Sequence, residues 1–218
     1  MTSALQIDVV SDVVCPWCYV GKRQLEEALA NWRERHPGEP EPQVRWHPFQ
    51  LNPAMPAAGI ERGEYLASKF GHADGGAIYA RVKAAAELVG LKLEMESITR
   101  QPNTLRAHAL LAVAGTAGLQ DALAEELFQA YFVNGADLTD DAALEALAVG
   151  AGLEAAAARE VLADQQLLEQ VRTADLQARE AGVSGVPFFI FGGRSALSGA
   201  VGPAAILAAI EAAAQGAS

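Results

Sequence analysis

A chain of 218 residues, 51% of them hydrophobic, is long enough to bury a substantial core, either as one domain or as a domain carrying a large insertion. Its formal net charge of -11 argues against bulk attraction to nucleic acid or to an anionic membrane surface. Met1 to Leu5 carry no basic cluster and the next apolar run is interrupted by Asp8 and Asp12, so neither signal peptide nor membrane span is expected, and the expected compartment is the cytoplasm.

Leu5 to Ser11 reads as a first strand, buried on both faces apart from Asp8. A two-cysteine turn follows, and then Leu25, Ala28, Leu29 and Trp32 recur at helical spacing. Strand, tight junction and amphipathic helix place Cys15 and Cys18 at a helix mouth. Unpaired backbone N–H groups there favour a thiolate over a thiol. Pro16 fits the first turn because its missing N–H costs no hydrogen bond. In thiol-disulfide exchange the outer sulfur, Cys15, attacks or is attacked, and Cys18, one turn further in, resolves the mixed disulfide.

A C-x-x-C pair is also compatible with half a zinc site or a structural staple. These are the only two cysteines, so a four-thiolate zinc site would need two chains. None of His36, His47, His72 and His108 is paired at metal-ligand spacing, and no metal is expected. In a reducing compartment a disulfide is usually transient and catalytic, which fits a reactive pair better than a staple. Asp8 either relays protons to Cys18 or is a plain strand carboxylate. Asp12, at the strand exit, is placed to fix the turn by accepting backbone N–H bonds. Lys22 and Arg23 either add positive potential near the thiols or keep their heads in solvent.

The helix runs out in the Pro- and Gly-rich segment 37–42. Gln43 to Phe49 alternates again and reads as a second strand. The loop after it, with Phe49, Leu51 and Met55 among prolines, either lines an apolar substrate groove or is a packed crossover. From about Gly59 to Gly182 the periods are helical. The expected helices are Gly63 to Phe70, Ala77 to Val89, Pro102 to Ala117, Leu119 to Phe132, Ala142 to Val149 capped by Thr139 or Asp140, and a helical remainder from Leu153 to Arg179. Strand character returns at Phe188 to Phe191, Gly192-Gly193 makes a turn, Arg194 to Ser198 returns, and Ala204 to Ala214 is a terminal helix. The organisation is an α/β unit over residues 1–58 and 183–218, with an all-helical block, 59–182, lodged inside it.

That order, with C-P-W-C at the first junction and V-P before the third strand, resembles the thioredoxin fold interrupted by a helical domain. More narrowly it is similar to the DsbA-like thiol-disulfide oxidoreductases, in the FrnE-type branch whose plan is shared by the 2-hydroxychromene-2-carboxylate isomerases. The segments that carry the resemblance are S-D-V-V-C-P-W-C-Y-V-G-K at 11–22, L-N-P-A-M-P-A-A-G at 51–59, N-T-L-R-A-H at 103–108, E-L-F-Q-A-Y-F at 126–132 and G-V-S-G-V-P-F-F at 182–189. The resemblance implies a cis peptide at Pro187, with the Val186 backbone facing the dithiol and free to pair with an extended substrate beside Pro16 and Trp17. It also implies an acidic residue beneath the inner cysteine, and Asp8 is near that place. Asn103, Thr104 and His108 fall near a helix start in the block that roofs the dithiol, as polar contacts to a small substrate or as capping and interface groups; Tyr131 and Phe132 read as core.

Three functions are compatible with the resemblance. An oxidoreductase uses both thiols on protein or small-molecule thiols and disulfides, with no tightly bound cofactor and glutathione as a candidate co-substrate. A glutathione-dependent isomerase typically has serine where this chain has Cys15. A redox-inert binding module would hold a C-x-x-C pair that never cycles.

Overall fold

Alternating apolar residues lead the chain into β1 (Gln6–Ser11), and Pro16 opens α1 (Pro16–Arg35) after a short junction. The structure, a computed structural model, describes residues 4–71, 73 and 75–216, so His72 lies outside the described residues. β2 (Gln43–Pro48) returns parallel to β1, with Ile7 opposite Val44 and Val9 opposite Trp46. Parallel neighbours need a crossover, and α1 provides it. Next come a two-residue strand, β3 (Ile60–Glu61), helices α2 (Arg62–Phe70) and α3 (Gly76–Glu87), and a 3₁₀ turn at Met95–Ser97. β4 (Arg100–Gln101) pairs antiparallel with β3. Then follow α4 (Leu105–Thr116), α5 (Gln120–Phe132), α6 (Asp141–Gly150), α7 (Ala155–Ala163) and α8 (Gln165–Glu180). β5 (Phe188–Phe191), β6 (Ser195–Ser198) and α9 (Pro203–Gln215) complete the chain.

The main sheet has the order β2-β1-β5-β6, with β5 antiparallel to β1. This is a thioredoxin-like α/β core with a large, mainly helical insertion between β2 and β5. Central position explains the burial of β1: Ile7 and Val9 are fully buried in the main core, while Val10 packs on the other face with Phe49 and Val183. The insertion is seated on α1 and on the β2 edge. Tyr19 of α1 stacks on Phe128 and Phe132 of α5, and Trp46 meets Phe128 edge-on. Gln120 closes the strand edge as a surrogate neighbour: its Oε1 accepts from Trp46 N at 2.8 Å and its Nε2 donates to Trp46 O at 2.9 Å. A sheet edge covered in this way cannot recruit a foreign strand at that point.

Two expectations need correction. The insertion is not all-helical, because β3 and β4 form a second, two-stranded sheet. Pro102 is the cause: the residue before a proline is driven to extended backbone, so Gln101 joins a ladder and the helix expected from Pro102 begins instead at Leu105. The helical remainder from Leu153 to Arg179 consists of two helices, α7 and α8. Asp164 divides them, adopting extended φ/ψ after α7 and accepting from Gln166 N and Leu167 N as the N-cap of α8. Of the two caps offered for α6, Asp140 is the one used, its side chain accepting from Ala142 N.

Candidate functional site

Cys15 is the N-cap residue of α1, with extended backbone (φ -94°, ψ 110°) and Pro16 at the first helical position. Its N–H donates to Asp12 O at 3.0 Å and its carbonyl accepts from Cys18 N at 2.9 Å, so both sulfurs are fixed at the first turn. Both cysteines are free and buried, Cys15 at 4% exposure and Cys18 at 0%. The Cys15 thiol reaches the Val186 carbonyl at 3.6 Å, and the Val186–Pro187 peptide is cis, the isomer the resemblance implies. Pro187 O in turn accepts from Gly199 N at 2.8 Å, anchoring the bend to the segment after β6. Pro16 and Trp17 flank the thiols half-buried, with the Arg81 guanidinium 5.7 Å from the Trp17 ring centre. Among the described residues no three His, Cys, Asp or Glu side chains converge as metal ligands.

Burial pushes the Cys18 thiol well above its ordinary pKa, and the adjoining Cys15 sulfur adds to the rise. The Ser11 hydroxyl and the Asp12 backbone act in the opposite sense, because each can hydrogen-bond a thiolate. Ser11 escaped the sequence reading. The signal was present in the period of two: Ser11 lies on the same face of β1 as Val9, which is opposite Trp46 and turned toward the main core. The same period corrects the expectation for Asp8. It points to the other face of β1, where its carboxylate meets His47 Nε2 at 2.7 Å, so it is not the acid beneath Cys18.

Asp12 is fully buried and does accept a backbone bond, from Leu51 N at 2.7 Å in the loop after β2 rather than within its own turn. Its other oxygen lies 3.3 Å from His108 Nε2, a buried ring carried by α4. His108 thus faces the strand exit from the insertion side, as an interface group. Asn103 is occupied structurally: its Oδ1 accepts from Leu105 N at 2.9 Å and its Nδ2 donates to Met55 O at 2.6 Å. Thr104 is buried and makes no capping bond. Phe49 is 2% exposed with the Arg179 guanidinium 4.0 Å from its ring centre, so it lines no groove. Leu51 and Met55 do line an open recess of about 480 Å³, together with Asn52, Pro53, Tyr65 and Lys69.

Neither alternative for Lys22 and Arg23 holds. Lys22 is 2% exposed and held by Glu26, by Asp121 at 3.3 Å and by Glu125 at 3.1 Å. Arg23 pairs with Glu26 at 2.6 Å and with Glu125, and Glu125 also accepts from Tyr19 Oη at 2.9 Å. These charges are neutralised where α1 meets α5, so they join helices instead of biasing the thiols. Their acidic partners on α5 are remote in sequence, and local patterning had no means of showing them.

The family model for the DSBA-like thioredoxin domain matches residues 6–211. The chain is similar to a probable DsbA oxidoreductase from Streptomyces coelicolor, with a TM-score of 0.82 and 32% identity over 96% of this chain and 89% of that one. It is 27% identical to the uncharacterized protein YwbO of Bacillus subtilis, over 86% of this chain and 87% of that protein. The cytosolic disulfide reductase DsbM of Pseudomonas aeruginosa, solved with GSH, shares the fold at a TM-score of 0.64 and 18% identity, with 96% of each chain covered.

Proposed function

The chain belongs to the DsbA-like thioredoxin-domain family, and from that premise we propose that it exchanges disulfides with thiol substrates in the cytoplasm, with glutathione as co-substrate. The enzyme class itself is that of a thiol-disulfide oxidoreductase acting through the Cys15/Cys18 pair. In our reading a substrate disulfide is attacked by the Cys15 thiolate: the Cys15–substrate S–S bond forms and one substrate thiolate leaves. Cys18 then attacks the Cys15 sulfur, closing the internal disulfide and expelling the second substrate thiolate. The substrate is reduced by two electrons and the dithiol is oxidised by two. The reverse sequence oxidises a dithiol.

One observation carries this assignment, the Cys15 sulfur at the Val186 carbonyl with Cys18 one turn further in. We assign substrate contact to Val186, Pro187, Pro16 and Trp17, because an extended peptide that presents sulfur to Cys15 must pass along this backbone bend. Glutathione is such a peptide, and the DsbM structure with GSH supports its use on shared fold. For the cytoplasm the support is DsbM, a cytosolic disulfide reductase that shares the fold; no helix among the described residues is long and apolar enough to cross a membrane. We place the chain in the FrnE-type branch and divide it at 58/59 and 182/183. The isomerase reading is disfavoured by Cys15, which stands where those enzymes typically carry serine.

The test is trapping. Incubated with oxidised glutathione, the Cys18→Ser variant is expected to hold one glutathione on Cys15 by mass analysis, and the Cys15→Ser variant none. Titration of the parent dithiol against a glutathione series then gives the reduction potential and the direction of flow. Equal labelling of the two variants would overturn the assignment of outer and inner sulfurs.

A further inference from the structure

A fully buried Cys18 has to lose a proton before it attacks the Cys15 sulfur of a mixed disulfide, since the thiolate is the nucleophile. Its surroundings offer few polar groups. Ser11, 5% exposed, lies on the face of β1 that carries Ile7 and Val9, which pack in one core cluster with Cys18, and its Oγ has no hydrogen-bond partner among the described residues. An unpaired buried hydroxyl is costly and calls for an explanation. Ser11 also borders a cavity of about 30 Å³ whose wall includes Val13, Trp46, His108, Leu111 and Phe128. That volume suffices for one water, and the site offers it polar partners. His47, which also borders the cavity, has its Nε2 committed to Asp8. His108 is the other buried group: its Nε2 faces Asp12 Oδ1 at 3.3 Å, and Asp12 Oδ2 is fixed by Leu51 N at 2.7 Å. When Nε2 donates to that carboxylate, Nδ1 is the nitrogen left to accept a proton.

We propose that Ser11 and His108, bridged by a water in this cavity, form the proton path of Cys18, with Asp12 as the positioning residue for His108. The proposal rests on the dithiol chemistry above. During resolution the Cys18 proton passes to Ser11 Oγ while the Ser11 proton moves to the water and a water proton to His108 Nδ1. The Cys18–Cys15 bond forms, the bond between Cys15 and the substrate sulfur breaks, and the departing thiolate takes its proton from solvent. When the enzyme runs the other way, Cys18 leaves as a thiolate and the same path returns its proton.

Stopped-flow and quenched-flow measurements separate the two steps: attack by Cys15 in the Cys18→Ser background, and resolution of a preformed glutathione mixed disulfide in the parent. Ser11→Ala removes an unpaired buried hydroxyl and should fold. It is expected to slow resolution about tenfold or more while leaving the attack step within about twofold, and Ser11→Thr, which keeps a hydroxyl, should restore most of the rate. His108→Gln should slow resolution similarly and move the ascending limb of its pH profile to higher pH, which altered packing alone would not do. The titratable neighbour of the reacting sulfur is Cys15, already in the mixed disulfide; His108 faces Asp12, and His47 borders the same cavity. Unchanged resolution in both variants, or equal slowing of attack and resolution, would overturn the path. If the parent forms no mixed disulfide, the dithiol reading falls first and the path with it.

Discussion

A Cβ atom on Gly21 would stand 2.9 Å from Pro187 Cγ and 3.2 Å from the Phe189 ring, so α1 lies against the Val186–Pro187 bend only because residue 21 has no side chain. The bend holds the carbonyl that the Cys15 sulfur touches, and helix-to-bend spacing therefore sets the geometry at the sulfur.

Gly21→Ala should consequently lower stability despite its better helix propensity. The gain from alanine in a helix interior is about 0.8–1.0 kcal/mol, whereas overpacking against a proline ring costs about 1–3 kcal/mol. A net loss of up to about 2 kcal/mol is expected by denaturant unfolding, with slower exchange at Cys15 as the bend is displaced. A stabilised variant with parental exchange rates would show that the bend yields freely.

Lys22→Met keeps the aliphatic stem of the lysine and removes the charge that Glu26, Asp121 and Glu125 share. Hydrogen bonds to charged groups contribute about 1.5–3 kcal/mol, and the partner carboxylates remain partly hydrated, so a loss of about 1–3 kcal/mol is expected. Burial opposes ionisation of both groups in this network, but the ion pairs prevail, raising the Lys22 pKa and lowering that of Glu26. A depressed carboxylate pKa contributes stability above the unfolded value that is lost as pH falls through the folded one. Melting curves of parent and variant should therefore converge in acid.

The reduced protein should weaken in alkali. Cys18 is held protonated by burial, then by its Cys15 neighbour, so its folded pKa exceeds its unfolded one. Its contribution to stability is fully present below the unfolded value of about 8.5 and declines as pH rises beyond it. Melting temperatures of the reduced parent should fall more steeply above that pH than those of Cys18→Ala. Parallel curves would show that Cys18 ionises without cost in the folded state.

Asp164→Ala should cost about 1 kcal/mol in urea unfolding, because the lost carboxylate caps two N–H groups of α8 at 2.9 Å and 3.0 Å. Asp164→Asn or Asp164→Ser should recover most of it.

Much of the architecture was determined by local chemistry. The alternation in β1, the helical spacing after Cys18, Pro16 at the helix start and Gly192-Gly193 at the hairpin are short-range rules, and each operates in the folded chain. The same range of interaction places Cys15 outside Cys18 on the first turn, since a helix puts residues three apart on neighbouring turns. Where two local rules compete, local reading fails: Pro102 suits a helix start but also drives Gln101 to extended backbone, and the strand at Ile60–Glu61 is there to pair with it.

Tertiary structure alone decided which polar groups meet around the dithiol. Alternation along β1 puts Asp8 and Ser11 on opposite faces, but only the packed fold supplies His47 as the partner of Asp8. Asp12 finds His108, and Lys22 finds Asp121 and Glu125, across the fold of an entire inserted block. Charge and hydrogen-bonding partners are chosen by proximity in space and by exclusion of water, and neither is encoded in a local period. Burial also turned Lys22 from an apparent surface cation into a cross-link and Phe49 from an apparent groove residue into core. For both, covering groups come from positions distant along the chain, Asp121 and Glu125 for Lys22, and Arg179 and Val183 for Phe49.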